Sequence, residues 1–132
     1  MDLSQRFGFE IAVLPQVDAA FGAIVPVNWI AMENYHHGVF AIDVEPVGAT
    51  GTTAQLQQAD DAAGANPVNV AGFVAVIGAA SAGVQVQGQV AFDAADIQAA
   101  DPTKLFVGIH LTTTTNDDVV GGTFIGFPKR YT

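Results

Sequence analysis

The chain contains no cysteine, which excludes a disulfide framework and any thiolate metal site and leaves its redox compartment open. Positive charge is almost as scarce. Arg6, Lys104, Lys129 and Arg130 stand against thirteen acidic residues, for a net charge of -9. Phosphate neutralisation requires clustered Lys and Arg, so direct nucleic-acid binding is not expected. Long hydrophobic runs are also missing. The longest, "VAGFVAVIGAASAGV" at 70–84, is too short and too glycine-rich to span a bilayer as a helix, and no membrane partner is expected. The first residues, "MDLSQRFGFE", lack the apolar core of a secretion signal, from which assembly in the cytoplasm is expected. The two serines, Ser4 and Ser81, sit in no nucleophile motif, and no glycine-rich phosphate loop follows a strand. An enzyme is not expected, nor is a cofactor.

What is present points to β structure. At 132 residues, half of them apolar, the chain fits one domain with a real core. Gly, Ala, Thr and Val are common, whereas the strong helix formers Glu, Lys, Arg and Met are rare. Period-two alternation is clear in "GVFAIDVE" from Gly38, where Phe40, Ile42 and Val44 alternate with Val39, Ala41, Asp43 and Glu45. "GVQVQGQVAFD" repeats it, with Gly88 on the apolar face as the mark of a bulge or a close neighbouring backbone. "KLFVGIHLTTTT" is apolar on both faces and reads as a central, doubly covered strand. Weaker strands are expected at 52–59, 68–78 and 121–127, separated by Gly, Asn, Asp and Pro clusters. One helical turn is expected at 93–102, capped by Asp93 and stopped by Pro102. Pro15 and Pro26 make residues 1–28 an extended arm or edge segment ahead of a β domain at 29–132. The fold class is therefore all-β, a single-domain sandwich, jelly roll or partly open barrel with one short helical turn.

Few residues suggest chemistry. His36 and His37 are adjacent, so on a strand they point to opposite faces and do not chelate one ion together. A zinc site there would need Glu33, Asp43 or His110 folded in beside one of them, and no ligand spacing supports it. Trp29 and Tyr35 instead read as structural anchors packed over a turn that launches a strand. The loop carboxylates Asp60 with Asp61, and Asp117 with Asp118 beside Asn116, have the oxygens that calcium takes without the spacing of a calcium loop, and are read as solvated charges. Asp96 and Asp101 are read as capping or solvating groups. The threonines at 49–53 and 112–115 do not recur at a fixed period and are read as strand formers rather than an ice- or sugar-binding array. No metal is assigned.

Three segments, "WIAMENYHHGVFAIDV", "GATGTTAQLQQADDAAG" and the closing "FPKRYT", together resemble small virion proteins of tailed bacteriophages. The resemblance runs from Trp29 to Gly64 and over the last residues, while the middle of the chain departs from it. It implies a head decoration, or cement, protein: a small β-rich homotrimer that binds the major capsid protein on the outside of the virion and stabilises the shell. The contact residues would be the apolar positions of the arm, Phe7, Phe9, Ile11, Val13, Leu14, Val17 and Phe21, with the basic pair Lys129 and Arg130. The alternatives are a tail, neck or head-completion protein of the same virion, and a carbohydrate-binding host-attachment module that uses Trp29, Tyr35 and the histidine pair.

Overall fold

The computed structural model describes residues 8–18, 23–24, 28–45, 52–77, 86–113 and 118–129. The strands are β1 (Gly8–Asp18), β2 (Ala23–Ile24), β3 (Ile30–Ala31), β4 (Tyr35–Glu45), β5 (Thr52–Ala59), β6 (Val68–Ile77), β7 (Val86–Asp93), β8 (Phe106–Thr113) and β9 (Asp118–Pro128). A 3-10 turn at Met32–Asn34 leads into β4, and helix α1 (Ala94–Ala100) follows β7. One sheet has the order β1-β9-β4-β7 and the other β2-β8-β5-β6, with β3 also on β8.

The pairing is nested. β1 pairs with β9, β2 and β3 with β8, β4 with β7, and β5 with β6, all antiparallel. Each strand therefore meets its counterpart counted from the other end, as in a long hairpin rolled up on itself. The pairs β4–β9 and β5–β8 then complete the two sheets. This order is that of a jelly roll, which selects one of the three architectures that alternation alone left open.

The core follows from the alternation. Phe40, Ile42 and Val44 of β4 are buried, and so are Ala54 and Leu56 of β5 and Val107, Ile109 and Leu111 of β8. β8 is interior to its sheet as expected, but only one of its faces is fully covered. Phe106 and His110 on its other face are half-buried, because a two-layer sandwich has no third layer to lie over them. Phe40, Phe92 and Phe124 pack with ring centroids 5.3–6.4 Å apart, and Tyr35 meets Phe124 edge-on at 5.1 Å. Gly38 and Gly126 are register partners in β4 and β9, and the space their missing side chains leave is filled by Phe92, Phe124 and Tyr35.

Two local expectations are corrected. The β4–β7 register runs unbroken past Gly88, whose neighbour is the Ile77 side chain from the other sheet, not a backbone. The bulge lies in β6 instead, where the register with β5 jumps between Gln55 and Gln57 and Gly72 has φ +86°. There Gln55 Nε2 donates to the carbonyls of Leu56, Val70 and Phe73 at 2.8, 3.0 and 3.3 Å, supplying the groups that the bulge takes out of the ladder.

Helix α1 starts on a capping box. Asp93 accepts from the Asp96 N–H, and Asp96 accepts from the Asp93 N–H. Its far end is met by Gln58, 1% exposed, whose Nε2 donates to the carbonyls of Ile97 (3.2 Å), Asp101 (3.1 Å) and Lys104 (2.9 Å). The first two of these carbonyls also accept from the Asp101 and Lys104 N–H groups, so Gln58 completes the partners of the helix end and of the loop after it. Replacing Gln58 by Met keeps the bulk and removes the donor, so Gln58→Met is expected to cost about 1–3 kcal/mol and to lower Tm by several degrees. Thermal unfolding followed by circular dichroism checks this, and an unchanged Tm would show that the three bonds contribute nothing net.

Candidate interaction surfaces

The segment that ends β5 builds one corner of the sandwich. Asp60 accepts from Lys104 Nζ at 2.6 Å and from Asn66 Nδ2 at 2.8 Å, and Lys104 also donates to the Asn66 carbonyl at 3.0 Å. Asp61 folds the loop by accepting from the N–H groups of Ala63 and Ala65. Gly64 has φ +78° and lies directly under the Trp29 indole, where any Cβ would overlap the ring. The two ends of the segment that carries the family resemblance thus touch each other. Among the described residues no group of three or more His, Cys, Asp or Glu is placed to hold a metal ion. Asp96 belongs to the capping box, and Asp101 accepts from the Thr103 N–H and hydroxyl. Asp118 opens β9 opposite Asp18, while Asn116 and Asp117 lie outside the described residues.

His36 and His37 are both exposed, with ring centroids 6.4 Å apart, and neither faces the core. A register irregularity between Tyr35 and His37 breaks the simple alternation that would separate them. His37 meets Phe127 edge-on at 6.2 Å. Glu33 is exposed in the 3-10 turn, Asp43 is exposed on one sheet, and His110 lies on the outward side of the other, so these residues are not assembled into one site. Trp29 and Tyr35 are half-buried against Gly64 and against Phe124 and Gly126, and do not form an open aromatic platform. The two threonine groups meet as register partners, Thr52 with Thr113 and Thr53 with Thr112. On the other sheet, β4 and β7 carry a shallow hollow of about 270 Å³ lined by Ala41, Ile42, Asp43, Gln87, Gly88 and Gln89.

Charge divides the two sheets. The strands β1, β4, β7 and β9 carry Glu10, Asp18, Asp43, Glu45, Asp93 and Asp118. The strands β2, β3, β5, β6 and β8 carry no Asp, Glu, Lys or Arg at all. Sequence reasoning missed this asymmetry. Each segment is visibly uncharged, but only the pairing order shows that all of them lie in one sheet.

Of residues 1–28, expected as an arm, Gly8–Asp18 is paired along β9 at the edge of its sheet. Phe9, Ile11, Val13, Leu14 and Val17 lie in that strand, while Phe7 and Phe21 lie outside the described residues. Lys129 is exposed just after β9, with its N–H donating to the Asn34 carbonyl at 3.0 Å; Arg130 lies outside the described residues.

The class that the fold defines is a two-sheet antiparallel jelly roll. No protein-family model matches the sequence, and no curated protein matches it. Among solved structures the chain is similar to VP2 of infectious bursal disease virus in its subviral particle, with TM-score 0.55 and 8% identity over 91% of this chain and 31% of that one. It is also similar to a chain in the structure of the Gx strain of that virus, with TM-score 0.51 and 14% identity over 91% and 31%. The chain spans less than a third of the length of either viral chain. A looser likeness, TM-score 0.46 and 9% identity over 93% of this chain and 86% of that one, is to a CBM4 structure. At these identities the two viral likenesses concern the fold.

Two predictions follow from the corner and from His110. Gly64→Ala forces a side chain into a left-handed backbone and into the indole, at an expected cost of about 1–3 kcal/mol. Because Trp29 is the chain's only tryptophan, its fluorescence reports the change directly, and an unaltered emission spectrum would contradict the contact. Partial burial pushes the His110 imidazole below its ordinary value of 6.5, so stability is lost as pH falls below that value, where the unfolded chain takes up a proton that the folded chain resists. The hydrogen bonds of Lys104 and Asn66 to Asp60, and of Thr103 to Asp101, hold those carboxyls below 3.8; their contribution is present above that value and is lost as pH falls through it. Melting temperature against pH should therefore descend in two steps, with His110→Gln removing the upper and Asp60→Asn reducing the lower.

Proposed function

We propose that this chain is a structural protein of a bacteriophage virion, a head decoration or cement protein that binds the outer surface of the capsid and stabilises the shell. The observation that carries this reading is the corner at Trp29 and Gly64. The letters that resemble the decoration family, from "WIAMENY" to "LQQADDAAG", form one joined unit: Leu56 in the core, Gln58 on helix α1, Asp60 on Lys104, Asp61 in its turn and Gly64 under Trp29. The fingerprint closes on itself at Trp29 and Gly64 and ties the rest of the fold to it through Gln58 and Asp60, so it reads as a fingerprint of a fold, and a similar fold occurs in the VP2 subviral particle.

In this role the sandwich serves as a rigid homotrimer that touches several major capsid subunits at once. Binding that spans neighbouring subunits gains strength only on the assembled lattice, and so opposes its rupture. The exposed Lys129, with Arg130 after it, would meet acidic groups of the capsid, and the apolar positions from Phe7 to Phe21 would add to the contact. Deleting residues 1–26 would remove β1 and strip β9 of a neighbour, so charge reversal at the basic pair is the cleaner variant.

Lys129→Glu with Arg130→Glu is expected to weaken binding to expanded capsids by about tenfold at low salt, and by less as salt is raised. Quantitative mass spectrometry of the purified virion decides the location. Copy numbers comparable to the major capsid protein support decoration, whereas a few copies per particle would favour the tail, neck or head-completion alternative. For the carbohydrate-binding alternative, Trp29→Ala does not discriminate, because the ring packs on Gly64. Glycan binding that is lost on replacing Gln87 and Gln89 in the hollow by Ala would favour it instead.

A further inference from the structure

We propose that the outward face of β5, β6 and β8, with the free edge of β6, is the surface through which copies of this chain pack on one another. Three observations meet there. First, the sheet has no charged residue in any strand, in a chain of net charge -9 whose other sheet holds six carboxylates. Copies that each carry this charge repel on approach, and they do so least through a face that bears none. Second, among the described residues β6 has β5 as its only sheet neighbour, and on its outward face it exposes Val74 and Val76 at 49% and 76%. From Val74 to Ile77 its register with β5 is unbroken, so the opposite edge is regular backbone, and no proline or lysine of β6 blocks it. Third, Val74 and Val76 are bordered by uncharged polar residues, with Gln55 and Thr53 as their register partners on β5 and His110 and Thr112 next across on β8. Apolar side chains with charge excluded and uncharged hydrogen-bonding groups around them have the composition of an interface centre.

The occupant is set by the same chemistry. A basic partner would be drawn to the acidic sheet, and an acidic partner gains nothing from a neutral face that any other protein would not. A second copy needs this face, because it is the one through which two such acidic molecules approach without stacking carboxylate on carboxylate. It also supplies what a strand edge lacks, since the extended backbone and exposed valines of β6 can complement their own kind. The inference does not rest on the decoration reading: it is measured on the isolated chain, and failure to find the protein on a virion would leave the result standing.

The test is sedimentation equilibrium of the full chain. The wild type is expected to be an oligomer, and Val76→Lys a monomer of about 13.6 kDa, whereas Thr123→Lys, at an exposed position of β9 on the acidic sheet, keeps the wild-type mass. Circular dichroism and thermal melting establish that each variant is folded. Val74→Thr with Val76→Thr keeps strand-forming side chains and adds no charge, and is expected to weaken association about tenfold. A monomeric wild type overturns the proposal. So does an undiminished association of the threonine double variant, or dissociation by Thr123→Lys equal to that by Val76→Lys.

Discussion

One buried amide holds the corner on which this sandwich depends. Gln58 leaves the end of β5 and donates to three carbonyls of the helix end and of the loop into β8. Those groups are shut off from water by the core around Ile97, itself fully buried. The Ile97 and Asp101 carbonyls also accept from the N–H groups of Asp101 and Lys104, so the amide adds a second donor to each and gives the Lys104 carbonyl its own, completing the partners that buried polar groups require. The amide thereby fixes where β7, having passed through α1, hands the chain to β8. Because β8 is the partner of β2, β3 and β5, the placement of the whole uncharged sheet rests on that handover. Two residues on, the Asp60–Lys104 pair crosses the same junction at the surface. The exposed pair adds little free energy by itself, but it stands where the buried amide has already set the geometry.

Nested pairing explains why the chain needs such a corner. In a rolled hairpin most strand contacts join segments far apart in sequence, so loop-closure entropy is paid before the core gives anything back. Features that fix local geometry early reduce that disadvantage: the capping box of α1, the turn folded by Asp61 and the Trp29–Gly64 contact. Of these, Trp29, Asp61 and Gly64 belong to the segments by which the sequence resembles virion decoration proteins, while Asp93 and Asp96 of the capping box lie outside them. The motif is therefore a statement about how the fold closes, and contact with a partner has to be sought elsewhere on the surface.

Much of the architecture was legible in the sequence, for a physical reason. Where one face of a strand is buried, period-two alternation is forced, and β4, β7 and β8 announce themselves in this way, whereas β5 shows more weakly. The helical turn was legible from Asp93 and Pro102. Residues 8–18 were harder, because Pro15 argues against a central strand; it falls where the β1–β9 register breaks between Val13 and Gln16, on an edge strand where a missing N–H is tolerated. Gly88 misled, since a glycine on an apolar face reads alike whether backbone or side chain fills the space. The role of Gln58 was illegible, for its three acceptors lie some forty residues away in sequence and only the fold brings them near. The candidate surfaces were least visible of all, because membership of a common sheet is decided by pairing order and not by any one segment.

The separation of charge between the two sheets gives the molecule an electrical polarity across its thin dimension. A body with six carboxylates in the strands of one sheet and none in those of the other experiences a torque as well as a net force in the field of another charged object. Near any negatively charged surface it would be turned, before contact, so that its neutral sheet leads and its acidic sheet trails. Orientation would then be settled during approach, which shortens the search for a productive encounter even when net repulsion slows the approach itself. Raising the ionic strength would relax both effects together, since they share one screening length.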